Sequence, residues 1–331
     1  MKLIVSQMSA LGGYVSREFH YVMTDLINDY QWKQIDTLQL FNAPGVMKDK
    51  LLNTLGELPE IILFWEGYEF LSACFSDIYR LECHKLIFAD DLHWWNEQMR
   101  LEKLVSFGLC ETILSPCAYL WDNFYPELAG AKQVVLIPHS ASPDFTVGYN
   151  QSPENSILLS GAVSPDYPLR QQLKELHEER AYSISYHPHP GYHCQYNHAA
   201  DENVGRGYAE KINRYRAAFT DSLIYGYVVA KYFEIPATGA LLVADDAVSG
   251  PLKELGFTEN EHYFPVSKEN LEKGIKYVLD KANHEELDEI RRAGQELVRR
   301  NHKTSDRARR INEVASVLQR TPAEDRLVDA Y

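Results

Sequence analysis

The sequence predicts an α/β protein: two parallel-sheet domains in tandem, with helices at the C-terminal end. Three observations carry the prediction. Short, near-continuous apolar runs alternate with helix-length spacers, the pattern of strands buried on both faces of a parallel sheet. The alternation stops at a proline- and serine-rich stretch, PHSASPDFTVGYNQSPEN (138–155), and then restarts. The 331 residues allow two domains of about 150 residues each, and 45% apolar with 24% charged residues excludes a disordered or fibrous chain.

In the first half, strands are expected at Leu3–Val5, Leu38–Phe41, Ile61–Trp65, Leu86–Phe88, Thr112–Leu114 and Val134–Ile137. Helical spacers such as Tyr68–Cys83 and Asn96–Phe107 lie between them. After the linker, Ile157–Leu159, Ala181–Tyr186, Ala217–Phe219, Ala240–Val243 and Tyr263–Val266 supply a second set. Leu271–Ala282, Glu285–Asn301 and Ser305–Gln319 carry apolar residues at three- and four-residue intervals, which reads as helix. The expected domains are 1–148 and 149–331, with the last helix, 305–319, able to pack back on the first.

Charge and cysteine usage narrow the function. The 33 basic and 47 acidic side chains give a net −14. Residues 1–150 are the more acidic part. Such a surface repels a phosphate backbone, so duplex binding driven by counterion release is disfavoured. Small diphosphates remain compatible, because a few backbone N–H groups hold them whatever the global charge. The cysteines (Cys74, Cys83, Cys110, Cys117, Cys194) are odd in number and lack CxxC spacing, so they read as small buried hydrophobes rather than a disulfide framework. The start, Met1–Val5 followed by Ser6, has no signal-peptide h-region, and no run approaches the ~20 apolar residues of a membrane span. A cytoplasmic protein is expected.

Ligands of open parallel sheets bind beyond the carboxyl ends of the strands, so the turns there are the places to search. Tyr227–Asp245, YVVAKYFEIPATGALLVAD, reads as a helix that begins after Gly226, carries Lys231 and Glu234, breaks at Pro236 and turns through Thr238-Gly239 into a strand. A helix N-terminus beside a glycine can bind a diphosphate, and a carboxylate a turn later can accept both hydroxyls of a ribose. The alternative is an ordinary helix–strand junction with surface charges. Ile157–Arg170, ILLSGAVSPDYPLR, ends a strand in Ser160-Gly161 and places Arg170 at a helix start. Its planar fork suits phosphate oxygens, or pairs with an acidic neighbour. His187-Pro-His-Pro-Gly-Tyr-His-Cys with His198 offers five possible ligands in twelve residues, read as zinc, as a rigid loop or as a plain turn. In the first half, Asp90, Asp91 and His93 follow a strand end. One of them could take a proton from an attacking hydroxyl, with Trp94 or Trp95 as a sugar-stacking face. Helix capping by the aspartates is the alternative. Gly12-Gly13 would let a loop approach a ligand closely.

The runs KYFEIPATGALLVADD, GPLKELGF and EHYFPV, and the tail LEKGIKYVLD…EIRRAGQELVRRNHKTSDRARRI, resemble the C-terminal half of group 1 glycosyltransferases of the GT-B fold. The CgeB-like (spore-maturation) branch is the nearest. The resemblance covers about 156–318 and reaches the linker PHSASPDF more loosely. It implies two Rossmann-like domains, an acceptor side at 1–148 and a nucleotide-sugar side at 149–331. It also implies transfer from a UDP- or GDP-type donor to a glycan or small-molecule hydroxyl, without a required metal or cofactor. Glu234 would bind the ribose, and Thr238, Gly239 and Ala240 would lie by the nucleotide. Tyr227, Lys231, Gly161, Arg170 and His189 would surround the diphosphate or base, with Gly12 and Gly13 close to the donor. One departure stands out. Retaining members carry Glu-x7-Glu, but eight residues before Glu234 stands Gly226. The other readings are a non-hydrolysing nucleotide-sugar epimerase and a catalytically silent binding protein of the same fold.

Overall fold

The computed structural model describes residues 1–192 and 195–320. These form two compact units, one of residues 1–10, 20–138 and 307 onward, the other of 11–19 and 139–306. The chain passes from the first to the second at Pro138–His139, inside the stretch read as linker.

The first unit holds six strands: β1 (Lys2–Ser6), β2 (Lys33–Asp36), β3 (Ile61–Trp65), β4 (His84–Phe88), β5 (Thr112–Ser115) and β6 (Gln133–Leu136). They pair in parallel in the order β2-β1-β3-β4-β5-β6. Every residue of β3 and β4 is buried, which is why these two were legible as apolar runs. The expected strand Leu38–Phe41 is instead part of the helix Thr37–Asn42, capped by Asp36, whose Oδ1 accepts from Leu38 N at 2.8 Å. The true edge strand, β2, has Ile35 as its one buried residue, so it shows no apolar run. Leu38 and Phe41 stand 57% and 51% exposed, apolar residues on a surface helix. Residues 307–320 also belong to this unit, where Asn312 Oδ1 accepts from Lys2 Nζ (2.7 Å) and Trp32 Nε1 (3.1 Å).

The second unit holds β7 (Glu154–Gly161), β8 (Ile184–Pro188), β9 (Tyr215–Thr220), β10 (Leu241–Asp245) and β11 (Phe264–Val266), parallel in the order β11-β10-β9-β7-β8. Its core joins Ile157, Leu159, Phe219, Leu241 and Val243 to Leu271, Ile275, Leu287 and Ile290 of the closing helices. Those helices, Leu271–Leu279, His284–Asn301 and Thr304–Arg320, stand where the apolar periodicity put them.

In each sheet the strand order reverses once, between β1 and β3 and between β7 and β9. Such a reversal splays the two following connections to opposite faces and leaves a crevice at the strand carboxyl ends.

Candidate functional site

In the second unit, three elements meet at the β7–β9 reversal: the end of β7, the helix Gly205–Arg214 and the helix Lys231–Ala237. Gly161 closes β7 at φ +101°, a backbone that side-chain-bearing residues rarely adopt. A Cβ there would stand 3.0 Å from Lys231 Cε and 3.2 Å from Arg170 Nη1, so two cationic side chains lie directly over this glycine. Ser160 Oγ is 2.6 Å from the Tyr208 hydroxyl, which also receives Lys231 Nζ.

The two cations differ in what remains of their hydrogen-bonding capacity. Arg170 is buried, its Nε 2.8 Å from Asp221 Oδ1 though not aligned as a hydrogen bond. Nη1 donates to Ala162 O (3.1 Å) and Nη2 to Thr220 Oγ1 (2.9 Å). Asp221 Oδ2 also accepts from Leu169 N and Arg170 N, both at 3.1 Å, capping the helix Pro168–Glu178 from the end of β9. Arg170 thus makes the acidic pairing weighed against the phosphate role. Among the described residues the Lys231 side chain gives a single hydrogen bond, to Tyr208, which leaves it donors to spare.

His189 lies close enough to both cations to feel them. Burial first, then Lys231 and Arg170, push its pKa down to about 4, so the imidazole is neutral at pH 7. Gly191 N donates to its Nδ1 at 2.9 Å, so the ring proton sits on Nε2, a donor that the local cations leave uncharged. The ring stacks on Tyr192 at 4.1 Å. His193 and Cys194 of the proposed zinc set lie outside the described residues; among those described, no three His, Cys, Asp or Glu converge as metal ligands.

Glu234 is 6% exposed, and no described residue hydrogen-bonds its carboxylate. Burial raises its pKa to about 7, opposed by Lys231 and His139 and assisted by Glu18 and Asp144. Glu18 comes from the segment 11–19. Its Oε2 accepts from His139 Nδ1 (2.9 Å) and its Oε1 from Ser140 Oγ (2.7 Å) and Ser140 N. Arg17 Nε donates to Asp144 Oδ2 at 3.1 Å, and His198 Nε2 donates to Tyr14 O at 2.7 Å. No local pattern predicts these pairings, because the two stretches lie more than a hundred residues apart in sequence.

Several expected site residues have other work. The helix starts at Lys231, not after Gly226, because the chain first turns through Leu223 and Gly226 and spends Tyr227 N on Ser222 O (2.7 Å). It also runs through Pro236 to Ala237. Thr238 is buried, its Oγ1 donating to Ile235 O at 2.7 Å. Gly239, at φ +84°, is crowded by Gln295 and Tyr149, and its carbonyl accepts from Arg291 Nε at 2.9 Å. Ala240 is buried at the start of the next strand. This turn is walled in by the helix His284–Asn301. Gly12 ends the helix Met8–Gly12. Gly13 admits Gln195, whose Oε1 would stand 1.9 Å from a Cβ, and its carbonyl accepts from Tyr196 N.

In the first unit, Asp90, Asp91 and His93 follow β4. Asn96, not an aspartate, caps the next helix, accepting from Met99 N at 2.9 Å. The Asp91 side chain is 57% exposed, 3.8 Å from the buried His93 Nδ1. Lys103 Nζ ties the loop down through Asp91 O (2.6 Å) and His93 O (2.8 Å). Trp95 is exposed, and Trp94 packs on Phe124 and Tyr125. Glu66, which sequence reasoning missed, follows β3 at the β1–β3 reversal with φ +54°. Burial first, then Asp91, raises its pKa to about 7, against Lys103 and a hydrogen bond from the Asp90 backbone.

Residues 169–313 match the family described as glycosyl transferase-like. No curated protein sequence matches the chain. HepE of Anabaena, solved in complex with UDP and glucose, is similar over 96% of this chain and 100% of its own, with a TM-score of 0.60 at 11% identity. A glycosyltransferase from Rickettsia africae covers 97% and 99%, with a TM-score of 0.59 at 10% identity. An alpha-glucosyltransferase in complex with UDP and a 13-mer DNA containing an HMU base covers 96% and 99%, with a TM-score of 0.56 at 10% identity. The chain therefore has the GT-B fold, two parallel α/β sheets with helices at the C-terminus. No described helix is long and apolar enough to cross a membrane.

Proposed function

We propose that the chain is a glycosyltransferase that moves a sugar from a nucleoside-diphosphate sugar to a hydroxyl acceptor, with the donor held by the second unit. The observation that carries this reading is the cluster at the β7–β9 reversal, within the span that matches the glycosyl transferase-like family. A lysine with spare donors lies over a glycine, beside a neutral imidazole N–H and a buried carboxylate that no described residue hydrogen-bonds. Lys231 and His189 would neutralise and hydrogen-bond the diphosphate as it leaves, a charge-stabilising role that a metal fills elsewhere. Glu234 would accept the ribose hydroxyls. Arg170 would act from behind, fixing the β7 turn through Asp221.

A UDP donor is the first choice, because HepE is solved with UDP and with UDP-glucose. The sequence resemblance supports the CgeB-like branch and a hexosyl or pentosyl group. A glycan or small-molecule acceptor is favoured over a polyanion by the net −14. The test is incubation with labelled UDP- and GDP-sugars, in EDTA, against glycan, small-molecule and hydroxymethylated-DNA acceptors. Free nucleotide with a glycosylated acceptor is expected. An altered sugar still on its nucleotide, or binding without turnover, overturns the reading in favour of an epimerase or a silent binder.

The first unit would supply the acceptor side, with Asp90, Asp91, His93 and Glu66 as the candidate residues. Glu66 is our choice of base for an inverting transfer, because a carboxyl poised near neutral pH is matched to proton abstraction. Glu66→Gln is expected to lower turnover by about a hundredfold or more with donor affinity unchanged. If Asp91→Asn does this and Glu66→Gln does not, the assignment passes to Asp91.

A further inference from the structure

We infer that Tyr208 is a positioning residue of the donor site, its hydroxyl holding the Lys231 ammonium in place over Gly161. The inference rests on the donor reading above and adds a residue that neither the motif nor the family resemblance marked. Tyr208 comes from the helix Gly205–Arg214, Lys231 from the helix Lys231–Ala237 and Ser160 from β7, so the contact gathers three separate elements on one oxygen.

The geometry specifies the role. A phenolic oxygen has two lone pairs and one proton. Lys231 Nζ has only protons to give, so it must occupy one lone pair. Ser160 Oγ, 2.6 Å away, takes the phenol proton or fills the second lone pair. In either arrangement the hydroxyl is fixed from the sheet side and the ammonium is fixed to it. Lys231 Nζ also stands 4.6 Å from the Tyr208 ring centroid, over its electron-rich face. The ring itself is braced edge-on by Phe145 at 6.1 Å.

A lysine alone on a four-carbon stem samples many positions, and ordering it costs conformational freedom at the moment of binding. Tyr208 orders it beforehand. Gly161 fits the same account. A side chain there would occupy the space Lys231 Cε now takes, 3.0 Å from the added Cβ, and would push the ammonium away. Arg170 is held separately, by Asp221 and Thr220, so it does not substitute for the tyrosine.

Wild type, Tyr208→Phe and Ser160→Ala would be titrated with UDP and uridine, or with GDP and guanosine if those are what the wild type binds. Tyr208→Phe keeps the ring and removes only the hydroxyl. It is expected to weaken diphosphate binding about tenfold, the worth of a hydrogen bond to a charged group, and to leave nucleoside binding unchanged. Ser160→Ala should shift the diphosphate alone, in the same direction and by less. Adding Tyr208→Phe to Lys231→Ala should cost nothing further, since the tyrosine acts through the lysine. Unchanged diphosphate affinity in Tyr208→Phe, or an equal loss for diphosphate and nucleoside, overturns the inference while the donor reading stands. A wild type that binds no nucleoside diphosphate removes both.

Discussion

Asp221→Ala is expected to destabilise the protein by about 3–5 kcal/mol, the largest effect of any single substitution proposed for this chain. The reason is that Asp221 answers two backbone donors and one buried positive charge at once. It caps the helix Pro168–Glu178 at Leu169 N and Arg170 N, and it faces Arg170 Nε at 2.8 Å, with both partners almost wholly buried. Alanine would leave a guanidinium without a counter-charge inside the protein, where water cannot compensate it. Urea denaturation, comparing midpoint and slope, measures the loss. Removing both charges in Arg170→Leu/Asp221→Ala should recover part of it, because the cost lies in the unpaired ion more than in the missing pair. A loss below about 1 kcal/mol for the single variant would show that the pair is solvated and refute this account.

Glu234→Gln is expected to move stability and donor binding in opposite directions, and the pH dependence separates them. The folded carboxyl is raised to about 7, against 4.5 for an ordinary glutamate. The native state therefore binds an extra proton between those values. Stability from this group is complete below about 4.5 and is lost as pH rises through 7, by up to about 3 kcal/mol. Donor binding needs the ionised form, so it strengthens over the same range. Between pH 8 and pH 6 the affinity for UDP-glucose, whose diphosphate diester does not titrate there, should fall about tenfold. The glutamine variant should lose this group's component from both curves, being more stable than wild type at pH 8 and weaker in donor binding. A wild-type binding curve that is itself flat would remove Glu234 from the ribose.

What the sequence disclosed and what it hid follow from where the determinants lie. Strands buried on both faces announce themselves as apolar runs, so β1, β3, β4, β7, β9 and β10 were readable, whereas the edge strand β2, with its single buried residue, was not. That Lys231 and Glu234 share one short helix was legible because a local run of sequence carries both. The acidic partner of Arg170, Asp221, is not identifiable from the sequence, because it follows a strand some fifty residues on and no local pattern joins the two. The turn Thr238-Gly239 is legible as a turn, but its packing against the helix His284–Asn301 is not, because Gln295 and Arg291 lie more than fifty residues further on. Glu18, Tyr208 and Glu66 carry no motif at all. Their meaning is given by neighbours that only the folded chain brings near.

The partition of the chain also bears on the order in which the protein can be made. Residues 11–19 and 139–306 form one unit, while 1–10, 20–138 and the chain from 307 form the other. On a ribosome, β1 and Trp32 emerge long before their partner Asn312, which lies 310 residues after Lys2 and 280 after Trp32. The first unit therefore stays incompletely closed while the second is synthesised. A fragment ending at 148 would lack the helix that finishes its own core, and one beginning at 149 would lack Glu18 and His139. Neither unit is an autonomous product of a contiguous stretch of gene, so a truncation meant to separate the proposed donor and acceptor roles would report on folding rather than on chemistry.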